Sequence, residues 1–184
     1  PLANVSGIDL GPARASLRGV DLLIAADVDV PLSGPTGAVQ GFARQKFPRP
    51  GDVANAEIHR LAAVIDRFTA TVQQDTDMAD LTGLPHAGAA GGIGWALASL
   101  GATLTPGFDT VSALVGFADH MADADLVLTG EGRLDWQTPR GKVVSGVAQA
   151  AVSVGVPVLA IAGSVELGQR ELGAMGVAAA YGLV

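Results

Sequence analysis

Residues 126–162 constrain this chain more than any other stretch, because two short apolar runs there are separated by one polar loop and one helix length. Leu126, Val127 and Leu128 read as a buried strand, and residues 156–162 (VPVLAIA) as a second. Between them Gly130 and Gly132 turn the backbone, Thr138 is placed as an N-cap and Pro139 as the first helical residue. Val143, Val147, Ala150 and Val154 supply the apolar stripe of that helix, and Gly155 ends it. Such a strand, helix, strand unit closes as a right-handed crossover in a parallel sheet, with ligands outside the carboxyl ends of the strands. The fold class expected is therefore α/β.

The polar loop carries the chemistry. Glu131, Arg133 and Asp135 alternate, so an extended backbone points all three to one side. Arg140 and Lys142 fall in the expected first helical turn, beside backbone N–H groups that have no intrahelical acceptor. Negative charge is expected there from a ligand rather than from the protein, which suits a phosphate.

Upstream, residues 20–28 (VDLLIAADV) form the first expected strand and deliver Asp27 and Asp29 at its end. Two apart, these acids share a face in extended chain and can hold a divalent cation such as Mg²⁺ through oxygen ligands; a strand-end turn with two solvated acids fits equally well. The prolines and glycines of residues 30–37 exclude helix. After the locally basic stretch 44–49, Asp52 is placed as the cap of a helix reaching Val72, with Ile58, Leu61, Ile65 and Phe68 on one face. His59, His86 and His120 are read as solvated, since none has a ligand-like spacing to another His.

Residues 85–101 form a glycine-rich loop entering a helix whose core side is Ile93, Trp95 or Ala96, Leu97 and Leu100. Gly88, Gly91, Gly92 and Gly94 allow either a phosphate or a neighbouring helix to approach the backbone. A short helix over 109–117 with Val111, Leu114 and Val115 inward, another over 166–175, and a last strand over 177–184 complete the reading.

With 184 residues, 49% hydrophobic and 16% charged, the chain has core enough for one large domain or two small ones. A net charge of −7 argues against a nucleic-acid groove, which needs clustered Lys and Arg. The absence of cysteine excludes a disulfide scaffold and thiolate metal sites. The uncharged stretches 87–108 and 143–165 are interrupted by Gly, Pro, Ser and Gln, so no membrane span is expected. No basic-then-apolar leader opens the chain, which makes the cytoplasm the expected compartment. Pro1 stands where an initiator Met would, so the chain reads as a piece of something longer.

Several stretches together resemble the glycerate kinase family of the bacterial type I class. TGEGRLD with Gln137, Thr138, Gly141 and Lys142 resembles its most recognisable signature, and VPVLAIAGS the strand that follows it. AADVDVPLSGPTGA resembles its DVxNPL-x-G-x-x-GA stretch, and HAGAAGG its GAGAAGG loop. The motifs occur in family order over nearly the whole chain. Val30 departs from the family Asn, FARQK over 42–46 from FGPQK, and Trp136 from a small polar residue. The family's opening DSFKGS-like segment and GGSATNDGG-like loop are absent, so the chain resembles the latter half of such an enzyme, minus its end.

The resemblance implies a Rossmann-like parallel sheet segment over residues 123–184 and part of an inserted α/β domain over 1–122. It implies transfer of the γ-phosphoryl group of ATP to glycerate, with Mg²⁺, in a cleft between the two domains. Carried over by position, Asp27 and Asp29 become metal ligands, and Arg133, Asp135 and Lys142 catalytic groups. Gly88, Gly91, Gly92, Gly130, Glu131, Gln137 and Thr138 become phosphate or substrate contacts. The alternative that the substituted Val30 and Trp136 favour is a non-catalytic module that keeps a nucleotide or organic-acid site. A reductase-like dinucleotide binder ranks last, because no strand is followed by GxGxxG.

Overall fold

The computed structural model describes residues 2–46, 52–140 and 142–184. The side chains of the basic stretch 44–49, the Asp52 cap, the Arg140 side chain and Gly141 lie outside the described residues. The fold is mixed α/β and divides into two compact units, Pro1–Thr105 and Pro106–Val184.

In the first unit, α1 (Gly11–Ser16) precedes the short strand β1 (Leu23–Ala26), which pairs with β2 (Thr103–Pro106). Between them lie α2 (Ala38–Lys46), the long α3 (Asp52–Thr76) and α4 (Ile93–Ser99). The core gathers Leu32, Ala38, Val72, Ala87 and Trp95, with Ile65 and Phe68 of α3 packed against it. The ring of Phe68 meets Trp95 edge-on at 5.8 Å, a preferred aromatic geometry. Of the expected inward face of α3, Ile65 and Phe68 reach this core, while Ile58 and Leu61 are half-buried. On α4 the reading needs correction, for Trp95 is buried but Ile93 is 57% exposed.

The second unit begins with α5 (Gly107–Leu114) and α6 (Phe117–Ala122). These two helices belong to the second compact unit, where Phe108, Phe117 and Met121 pack on Val147, Ala151 and Val158. Phe108 occupies a notch made by Gly146, where an added Cβ would come within 2.3 Å of its ring. That seating turns Val111, Leu114 and Val115 outward, against the expectation that they face the core.

Next come β3 (Val127–Leu134), α7 (Val143–Val154), β4 (Val158–Val165), α8 (Gln169–Met175) and β5 (Ala179–Gly182). The three strands form one sheet in the order β3-β4-β5, parallel throughout, with Leu128 opposite Leu159 and Leu159 opposite Ala179. Leu134, Val144, Ala148, Ala160, Ala162, Leu172 and Met175 make a continuous core under one face. Each fully buried Leu or Val there contributes about 1.5–3 kcal/mol relative to exposure. The opposite face carries Leu128, Ile161 and Tyr181, all exposed.

Two expectations are overturned here. The segment Thr129–Leu134 is strand, not a glycine-broken loop, because β3 stays paired with β4 as far as Val165. Gly130 serves close approach, for a Cβ there would lie 2.3 Å from the Ile161 carbonyl oxygen, whereas a Cβ on Gly132 would meet nothing within 4 Å. The stripe of α7 is also rotated: Val144, Val147, Ala148 and Ala151 are buried, while Val143 and Val154 are exposed. The small alanines let the helix lie close on the sheet.

Candidate functional site

The signature stretch leaves β3 at Leu134 and turns sharply over residues 135–137, then makes a single 3-10 turn at Thr138–Arg140 before α7. Asp135 builds the turn. Its carboxylate Oδ1 accepts the Gln137 N–H at 2.9 Å, and its carbonyl accepts the Thr138 N–H at 2.9 Å, an arrangement that mimics a backbone turn. Thr138 is fully buried and is not the N-cap of a helix. Its hydroxyl accepts the Asp135 N–H at 3.0 Å and donates to Glu131 Oε1 at 2.5 Å.

Lys142 is itself the N-cap of α7, one position before the helix rather than inside its first turn as expected; its extended backbone (φ −70°, ψ 164°) presents the carbonyl that Gly146 N–H meets at 3.1 Å. Its side chain makes no capping bond. Helix geometry therefore leaves the first amides of α7 without an intrahelical acceptor. Lys142 Nζ lies 3.5 Å from Asp135 Oδ1, so part of the negative charge expected from a ligand comes from the protein.

Glu131, Arg133 and Asp135 do not converge on one point. Glu131 bonds Thr138, Asp135 pairs with Lys142, and Arg133 pairs with Glu166 at 3.6 Å, both of the last two being more than half exposed. An exposed pair of that kind is worth about 0–1 kcal/mol and exchanges readily for another anion. Gln137 is half-buried through the same turn.

In the first unit, Asp27 and Asp29 lie just past β1, which is shorter than expected, and both are exposed. Among the described residues no group of three or more His, Cys, Asp or Glu is placed to hold a metal ion. Two carboxylates with water and phosphate oxygens still fit Mg²⁺, which keeps several waters and uses few protein ligands.

The glycine loop shows a division of labour. Gly88 is buried, its N–H donates to the Val30 carbonyl at 2.7 Å, and a Cβ there would lie 2.3 Å from the Pro31 oxygen. Gly91 and Gly92 have left-handed backbones, and nothing lies within 4 Å of a Cβ built on Gly91. His86, read from sequence as solvated, is buried with φ 64°, and its Nδ1 lies 3.0 Å from the Val28 carbonyl. That contact makes Nδ1 the protonated nitrogen. His86 and Gly88 together tie the loop to the segment after β1.

Two features escaped the sequence reading. A cavity of about 280 Å³ lies between the segment 32–40 and α3, with Ser33 donating to Asp66 at 2.8 Å at its edge. It contains none of the expected site residues. Asp80 fixes the neighbouring turn, accepting the Thr82 N–H and hydroxyl and the Gln73 amide, while the Thr82 carbonyl accepts the Leu32 N–H. The Ser33–Asp66 and Leu32–Thr82 bonds cross long stretches of chain with no fixed spacing to reveal them.

The model of the glycerate kinase family matches residues 1–184. The chain is 39% identical to a glycerate kinase from Bacillus subtilis (strain 168), over 100% of this chain and 47% of that protein. It is 37% identical to a glycerate 2-kinase from Escherichia coli (strain K12), over 89% of this chain and 42% of that one. Among solved structures it resembles the one named for glycerate kinase 2 from Salmonella typhimurium LT2, with a TM-score of 0.64 and 36% identity over 98% of this chain and 45% of that. The chain thus spans about half the length of the curated relatives it matches.

Proposed function

Because the chain belongs to the glycerate kinase family, we propose that the protein carrying it transfers the γ-phosphoryl group of ATP to a hydroxyl of glycerate, giving ADP and phosphoglycerate. The observation that carries this reading is the Lys142–Asp135 pair at the start of α7, where an ammonium, a carboxylate and unpaired helix amides stand together. Phosphoryl transfer asks a protein mainly for positioning and charge stabilisation.

In this reading Lys142 and the first amides of α7 hold phosphate oxygens. Asp135, relieved of Lys142 when phosphate arrives, orients the attacking hydroxyl and accepts its proton. Arg133 exchanges Glu166 for the substrate's negative charge. Gly130, Gln137, Gly91 and Gly92 are assigned to substrate or phosphate contacts through backbone and amide groups. Asp27 and Asp29 are the residues that would hold Mg²⁺, which when bound neutralises phosphate charge.

The test is a coupled assay on the family-length protein with ATP and glycerate, followed by phosphorus NMR of the product. Phosphoglycerate formation is expected, and the name of the Escherichia coli relative makes the 2-hydroxyl the first acceptor to examine. No ATP-dependent product would overturn the kinase reading. The half-exposed Trp136 in the turn favours one other reading, a binding module without turnover. That reading predicts nucleotide binding by calorimetry and no product. The 184-residue chain by itself is expected to turn over no glycerate, because opposing groups and water exclusion come from the rest of the family's length.

A further inference from the structure

We propose that Thr138 and Glu131 are positioning residues, a strut that fixes the Asp135–Lys142 pair from the sheet. The proposal rests on the kinase reading for its catalytic arm only. A hydroxyl has one hydrogen to give, and a carboxylate can only accept. Thr138 Oγ1 therefore must donate to Glu131 and must accept from the Asp135 N–H, so its donor and one of its lone pairs are committed. Full burial keeps that side chain from any ligand.

The strut has a rigid foot and a working end. Glu131 is held in β3 opposite Ala162, inside a ladder that continues to Val165. From Glu131 the chain of bonds runs through Thr138 to the Asp135 amide, and from the Asp135 carboxylate to Gln137 N–H and Lys142. The sheet thereby dictates where the carboxylate and ammonium stand. Any other polar residue could satisfy an amide at a turn. Only a short hydroxyl at position 138 both reaches Glu131 and receives Asp135.

The test uses Thr138→Val, which keeps the shape and loses both bonds, with Thr138→Ser and Glu131→Ala beside it. In the 184-residue chain, amide exchange of Asp135 should accelerate in Thr138→Val and Glu131→Ala and return to the wild-type rate in Thr138→Ser. Inorganic pyrophosphate affinity, measured by calorimetry, should fall and recover in step. In the family-length protein, kcat should drop about tenfold to a hundredfold in Thr138→Val, the scale of a small misplacement of reacting groups. KM for glycerate should change little, and Thr138→Ser should restore most of kcat.

Unchanged Asp135 exchange in Thr138→Val would overturn the strut. So would accelerated exchange with full pyrophosphate affinity and full kcat, since the bonds would then be merely structural. An inactive wild-type protein whose pyrophosphate affinity still follows the Val and Ser variants would sink the kinase reading and leave the strut standing.

Discussion

Lys142 and Asp135, seven residues apart across a tight turn, stand 3.5 Å apart with side chains only 27% and 15% exposed. The pair explains a lysine where the helix dipole disfavours one by about 0.3–1 kcal/mol. Lys142→Ala in the family-length protein should weaken ATP binding or slow transfer by roughly a hundredfold, the usual effect of removing one preorganised donor. It should lower stability slightly, since Asp135 loses its counter-charge. Coupled assays and thermal unfolding check both. Full activity with unchanged ATP affinity would remove Lys142 from the phosphate site.

Asp29→Asn should raise the Mg²⁺ concentration needed for half-maximal activity, because the exposed pair Asp27 and Asp29 is assigned to the cation. A Mg²⁺ titration of the variant is the measurement. An unmoved midpoint would leave these acids as solvated turn residues.

Gly88→Ala should lower stability by about 1–3 kcal/mol whether or not nucleotide is present, the scale of overpacking a filled space. The added methyl would meet Pro31 backbone, which cannot swing aside like a side chain. Denaturant unfolding with and without ADP separates this packing role from a phosphate contact. A loss confined to ADP affinity would reverse the assignment.

Asp80 links acidity to the segment that follows β1. Hydrogen bonds from the Thr82 backbone and hydroxyl, then from Gln73, hold its carboxyl below the ordinary value of 3.8. A depressed folded pKa contributes stability above the unfolded value and loses it as pH falls through the folded one. The first unit should therefore loosen below about pH 3.8, and Asp80→Ala should flatten that part of the profile. Circular dichroism melts between neutral and acid pH would show it; an identical acid dependence in the variant would rule it out.

The strand, helix, strand order was legible in the apolar runs around 126–128 and 156–162, because a short continuous apolar run bounded by turn residues marks a strand inside a sheet. The true length of β3 was not. Gly130 and Gly132 look like a loop in isolation, and only the β4 partner reveals both as strand and Gly130 as a place where two backbones draw near. The phase of α7 was equally hidden, since VVSGVAQAAVSV offers apolar residues on nearly every side and packing alone selects Val144, Val147, Ala148 and Ala151. The Glu131–Thr138 bond crosses from strand to turn, a relation that neither helical nor strand periodicity encodes. His86 misled for a related reason: its burial follows from the Val28 carbonyl, far away in sequence.

The continuity of β3 through Gly-Glu-Gly-Arg-Leu has a consequence for inheritance. Side chains on a strand alternate, and Glu131 faces the same way as Thr129, so inserting or deleting one residue between Thr129 and Glu131 would turn Glu131 to the opposite face. The carboxylate would leave Thr138 for the exposed face that carries Leu128. A Cβ on Gly130 has no room and Glu131 holds Thr138, so point changes are costly here too, and the turn at 135–137 is closed by bonds of Asp135 to Gln137 and Thr138 that fix its own length. Natural length variation in the lineage should therefore spare residues 129–138 as one block.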